Sequence, residues 1–221
     1  MSDRVLPRVI ALNEDFLLDK AANRLWDSEV IADDTSTFAP LWWFVGAHGG
    51  AGTTTLATLL APAGDAGHSW PVHEENRVCV VVAKASVPSL EKAHQVLLQG
   101  QQQVETVDVI GVVVVAETPG KYPNLVKNKI DVLRPLTTVW ELEYLSDLRL
   151  VEVDKLAMWL PGDVVDTTRR GRKVSMIERV PVSVARLGEE IVAAVLGDDF
   201  MVDVPGELGF SSNKEDKEGE E

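Results

Sequence analysis

Hydrophobic positions first gather into an unbroken run at Leu41-Trp42-Trp43-Phe44-Val45, closed by Gly46. A run with no polar member predicts a strand buried on both faces. Thr54 to Leu60 follows as a helix, with Pro62 and Gly64 near its end. Residues 64 to 77, with Gly, Pro, His and Glu among them, read as a loop. Val78 to Ala83 and Val109 to Ala116 are again wholly apolar and predict two more buried strands. Between them, Pro88 to Leu98 sets Leu90, Ala93, Val96 and Leu97 on one face of a helix. Residues 124 to 134 predict another helix, with Leu125, Ile130 and Leu133 inward, and Thr138 to Leu142 a fourth strand. Strands alternating with helices build βαβ units, and wholly apolar strands need helices on both faces of a mainly parallel sheet. The predicted fold class is α/β with three layers. Beyond residue 150 the pattern weakens, and Val184 to Leu196 predicts a closing helix.

The two ends of the chain read differently. Residues 1 to 40 alternate short apolar runs with charged ones and read as a loosely structured arm over the core. Residues 41 to 200 make the folded domain, and the acidic tail from 201 to 221 is expected to be disordered, because Ser211 to Glu221 cannot bury apolar surface. A chain of 221 residues, 45% of them hydrophobic, supports one sizeable core.

Charge narrows the function. A formal charge of -14 with a pI near 4.7 repels nucleic-acid backbone and anionic lipid. The basic run at Arg169, Arg170, Arg172 and Lys173 reads as a solvated loop. Cys79 is the single cysteine, so no internal disulfide forms, and it packs inside an apolar strand. No apolar stretch reaches the ~18 residues of a membrane span and no signal peptide opens the chain, so the protein reads as cytoplasmic. His48, His68, His73 and His94 lack metal-ligand spacing on a helix. Trp42, Trp43, Trp140 and Trp159 read as core or interface residues.

The candidate chemistry lies in Gly46-Ala47-His48-Gly49-Gly50-Ala51-Gly52-Thr53-Thr54-Thr55, between the first strand and the first helix. Backbone N–H groups exposed by glycines, with the positive end of a helix, make an anion cradle. A phosphate loop normally adds a lysine for the β and γ phosphates and a hydroxyl for Mg²⁺. Here Ala47 replaces the first glycine and Thr53 the lysine, while Thr54 keeps the hydroxyl position. The bare alternative is a glycine-rich turn that binds nothing.

The segment His48 to Thr55 resembles the deviant Walker A loop of the ParA/MinD family of ATPases, which runs lysine-glycine-glycine-x-glycine-lysine-threonine-threonine. His48 stands at the family's signature lysine and Thr53 at its general P-loop lysine. Val80 to Leu90 is similar to a later strand and helix of that family, Gly111 to Glu117 to the strand that ends near the adenine, and Val139 to Asp147 to the last strand. The resemblance covers roughly residues 41 to 150 and implies a reduced P-loop NTPase-like fold. The family's acidic strands lie between the first helix and the strand at Val78; here that gap is short, and Asp65, Glu74 and Glu75 are its carboxylates. None of them ends an apolar strand. The glycine loop and Glu117-Thr118-Pro119-Gly120-Lys121-Tyr122-Pro123 also resemble a family of uncharacterised proteins on actinobacterial plasmids, integrative elements and phages, which implies a mobile-element context.

Phosphoryl transfer depends on positioning and on cations that neutralise developing charge. With both lysines and a Walker-B-like aspartate missing, the resemblance implies a pseudo-NTPase acting as a binding or scaffold protein. The binding residues would be His48, Gly49, Gly50, Ala51, Gly52, Thr53, Thr54 and Thr55, and Thr54 would meet Mg²⁺ only if ATP or ADP binds. The expected partner is another protein, with a homodimer as one form. The alternative is a working ATP/GTP-binding switch or weak ATPase, with a lysine such as Lys84 or Lys121 supplied from the sheet's carboxyl edge. A third reading is a small-molecule or peptide module in the same crevice.

Overall fold

The computed structural model of the protein describes residues 40–71, 77–102, 107–163 and 175–197. The expected N-terminal arm, the acidic tail, the basic run at 169–173, His73, Glu74 and Glu75 lie outside the described residues.

Strands β1 (Trp42–Gly46), β2 (Ala63–Gly67), β3 (Val78–Lys84), β4 (Asp108–Val115) and β5 (Thr138–Leu142) form one sheet. Their order is β2-β1-β3-β4-β5, and every neighbouring pair is parallel. The helices are α1 (Thr53–Leu59), α2 (Val87–Gln102), α3 (Asn124–Leu133) and α4 (Val182–Leu196). Side chains alternate between the faces with a period of two. Trp42, Phe44, Val80, Val82, Val113 and Val115 meet α1 and α4 on one face. Trp43, Val45, Val81, Ala83, Val112 and Val114 meet α2 and α3 on the other. The α/β, three-layer fold is as the hydrophobic pattern predicts.

Chain handedness decides which helix covers which face. A right-handed crossover from β1 to β2 puts α1 on one side of the sheet. From β3 onward the chain steps the opposite way, so the same handedness puts α2 and α3 on the other side. The reversal falls between β1 and β3, and in open α/β sheets the ligand crevice lies at that point, outside the carboxyl ends of the strands.

One expectation about the strands is corrected. Residues 64 to 67, read as loop, belong to the edge strand β2, whose register pairs Trp42 with Ala63 and Phe44 with Asp65. Its sequence, Ala-Gly-Asp-Ala-Gly, carries no large apolar residue. A Cβ at Gly64 would lie 2.5 Å from Trp43 Cε3, so the indole of the neighbouring strand lies across β2 and supplies the cover that β2 lacks.

The same device recurs. Built Cβ atoms at Gly100, Gly111 and Gly188 would lie 2.8 Å from Trp70, 2.1 Å from Trp140 and 2.5 Å from Trp159. Each indole thus seats on a bare backbone. Trp70 fills part of the second face on the connection from β2 to β3. Trp159 returns from the segment after β5, where its backbone N–H donates to Leu59 O at 2.8 Å and its carbonyl accepts from Ala61 N–H at 3.1 Å. Trp42, Trp43, Trp140 and Trp159 are all core residues.

Helix faces agree with the pattern in α2, where Leu90, Ala93, Val96 and Leu97 are buried. In α3 the inward stripe is Val126, Ile130 and Leu133, while Leu125 is 70% exposed. Positions 126, 130 and 133 follow the i, i+4, i+7 spacing of one face, which Leu125 does not share. Among the described residues, no helix is long and apolar enough to cross a membrane.

Candidate functional site

The glycine loop leaves β1 at the point where the strand order reverses. Ala47 N–H still donates to Val82 O at 2.8 Å, so pairing with β3 runs one residue past the strand. The chain then turns, with Ala51 N–H donating to His48 O at 3.2 Å. Gly50 (φ 79°) and Gly52 (φ 110°) hold left-handed backbone that residues with a Cβ adopt at a cost. Gly52 is also the N-cap of α1 and offers no side-chain cap to the first turn. Because α1 has only 7 residues, the loop and its surrounding side chains, rather than the helix, must define any ligand.

Those side chains come from three strand ends. From β2, Asp65 Oδ2 accepts a 2.6 Å hydrogen bond from Thr54 Oγ1, and Oδ1 accepts from Gly67 N–H at 2.9 Å. The exposed Thr54 hydroxyl is therefore oriented by a carboxylate on the adjacent strand. The sequence reading named Asp65 but placed it in a loop, because its strand is built from Ala and Gly.

His48 leans across the crevice to α2. Its Nε2 lies 2.7 Å from Ser89 Oγ, and its Nδ1 lies 2.9 Å from Gly49 O. Ser89 Oγ accepts from Lys84 N–H at 2.7 Å. Ser89 is buried, and the His48 bond joins the loop after β1 to the helix after β3.

His68 follows β2 and stands beside the loop, its Nε2 3.4 Å from where a Cβ of Gly49 would be. Burial pushes its protonation below the usual histidine range, His48 and Lys92 push it down further, and the Gly46 carbonyl opposes them. From the end of β3, Lys84 Nζ reaches to 3.9 Å from the Cβ position of Gly52. Elsewhere on the surface Lys129 pairs with Glu91 at 2.8 Å, and Arg134 and Lys155 bond to Glu141 and Glu152. Neither Lys84 nor Lys92 has such a carboxylate partner among the described residues.

The loop residues singled out by sequence are thus together, but not equally available. Gly49, Gly50 and Thr54 are exposed, His48, Gly52 and Thr55 half-buried, and Ala51 and Thr53 buried. Thr53 turns its methyl inward: a Cβ at Gly46 would meet Thr53 Cγ2 at 3.3 Å. Lys121 lies in the exposed turn after β4, two strands away from β1. Sequence reasoning missed Asp65 and Ser89 as neighbours of the loop, and saw His68 only as a loop histidine. Among the described residues, no group of three or more His, Cys, Asp or Glu side chains could hold a metal ion.

A family of unknown function, DUF6668, matches residues 40–144, a span that holds all five strands, the glycine loop, Asp65, His68 and Lys84. No match is found among the curated proteins.

Proposed function

We propose that the protein is a degenerate ParA/MinD-like binding module, which holds a phosphate-bearing anion over the glycine loop and acts through contacts with other proteins. The observation that carries this reading is Lys84, whose ammonium group comes from the neighbouring strand to within 3.9 Å of the Gly52 Cβ position. It offers the loop a cation that Thr53 cannot. Glycine-exposed backbone and an ammonium group converging on one crevice suit an anion and little else. The described residues offer no second carboxylate at the loop beside Asp65 to activate water, which favours binding over turnover.

The second reading, a nucleotide switch with Mg²⁺, draws on Thr54 and Asp65. A hydroxyl that donates to a carboxylate keeps its lone pairs for a cation, so the pair fits a metal carried in by ATP or ADP. Cytoplasmic location, a protein partner (a second copy included) and a mobile-element setting belong to the same proposal.

Calorimetry on the full chain separates the readings, using inorganic pyrophosphate with a chelator and, separately, ATP, ADP and GTP with Mg²⁺. The binding-module reading expects pyrophosphate to bind without metal, and Lys84→Ala to weaken it about tenfold or more, the worth of one charged hydrogen bond. Binding of nucleotide alone, and only with Mg²⁺, supports the switch. Absence of heat from every ligand at millimolar concentration sinks both.

A further inference from the structure

His68 occupies an unusual place. It is not part of the glycine loop, yet its Nε2 lies 3.4 Å from the Gly49 Cβ position, where an anion in the cradle would sit close by. The groups that face it come from three directions. His48 stands on the loop after β1, Lys92 on the second turn of α2, and the Gly46 carbonyl at the end of β1. The carboxylate on its own segment, Asp65, is turned to Thr54 and Gly67 instead. Lys84 adds its ammonium group across the loop near Gly52. Without a ligand, then, His68 has two cationic or potentially cationic neighbours and a partly desolvated ring, and its protonated form is disfavoured.

We infer that the crevice takes up its anion together with a proton, and that the proton goes onto His68. The inference rests on the anion-binding reading above. An anion of two or more charges beside the ring reverses the local balance. The repulsion from Lys92 and His48 is then offset, and the imidazolium becomes a further donor to the ligand. Linkage sets the sign. A histidine whose midpoint is raised by the ligand makes binding tighter as pH falls through the raised midpoint, up to about tenfold for each unit of rise. The site would hold its ligand well in mildly acidic conditions and release it as pH rises, a response the loop alone does not possess.

The test follows the His68 ring by NMR, titrating the full chain between about pH 5.5 and 8 with and without saturating inorganic pyrophosphate. The expected result is an upward shift of the His68 midpoint by one unit or more, with the pyrophosphate affinity of the wild-type chain rising as pH falls. His68→Gln should bind pyrophosphate more weakly than the wild-type chain at pH 5.5 and lose the proton uptake measured by calorimetry in buffers of different ionisation enthalpy. Pyrophosphate binding that leaves the His68 midpoint unchanged overturns the inference and leaves the anion-binding reading intact. No binding at any pH overturns both. If His68→Gln fails to fold, the titration of the wild-type ring still decides.

Discussion

Gly111→Ala tests the seating of tryptophans on bare backbone, the device that sets the packing of this sheet. The new Cβ would lie 2.1 Å from Trp140 Cζ3, 2.6 Å from Cη2 and 2.9 Å from Thr138 O. Carbon atoms in packed interiors settle at ~3.5–4.0 Å, so the indole has to retreat by more than an ångström. Thr138 is the ladder partner of Gly111, and its carbonyl cannot retreat without loosening β4 from β5. Trp140 is buried among Val113, Val115 and Leu142, so retreat of the ring opens space there. Overpacking of this kind costs about 1–3 kcal/mol, and full loss of a buried tryptophan about 3–5 kcal/mol. Alanine recovers about 0.5–1 kcal/mol by restricting the unfolded chain. The net expectation is a destabilisation of about 2 kcal/mol, a large part of a typical 5–15 kcal/mol. Urea unfolding followed by circular dichroism measures it. Trp140→Leu removes the clashing ring, so the cost of Gly111→Ala should shrink in that background. A cost under about 0.5 kcal/mol in the wild-type background, or an equal cost in both, refutes the seating argument.

Two other outcomes are expected. Asp65→Ala removes the acceptor for both Thr54 Oγ1 and Gly67 N–H; because the site is half-exposed, water replaces part of the loss, and urea unfolding should show a destabilisation of about 1 kcal/mol. Stability also depends on His68 and His94, both held below the ordinary histidine value of about 6.5, chiefly by burial, with Lys129 adding to the effect at His94. Above 6.5 both are neutral in either state; below it the unfolded chain binds the more protons, so stability is lost as pH falls towards the folded midpoints. The urea midpoint should drop between pH 7.5 and about 5.5, and the drop should shrink in His94→Gln.

Much of the fold was legible in sequence because the central strands carry their own burial. Val78 to Ala83 and Val109 to Val115 are continuous apolar runs, and only a sheet covered on both faces hides such runs. The helices α2 and α4 announce themselves by period, and the glycines of the loop by their place between a buried strand and a helix. Left-handed backbone at Gly50 and Gly52 accounts for two of those glycines whether or not a ligand binds.

What sequence could not decide is everything that depends on which elements become neighbours. Ala63 to Gly67 is a strand because Trp43 lies across Gly64, and a residue's cover by another strand leaves no mark in its own local pattern. The same holds at the candidate site. His48, Asp65, His68, Lys84 and Ser89 are spread over more than forty positions of sequence, and local spacing relates none of them. Parallel pairing brings every strand's carboxyl end to one edge, and the order β2-β1-β3 sets β2 and β3 on either side of the loop. Composition and pattern determined an α/β sheet with a glycine-rich loop after its first strand. Only the tertiary arrangement decided that a lysine, two histidines and a carboxylate would stand around it, because proximity across strands is a property of sheet order and handed crossovers.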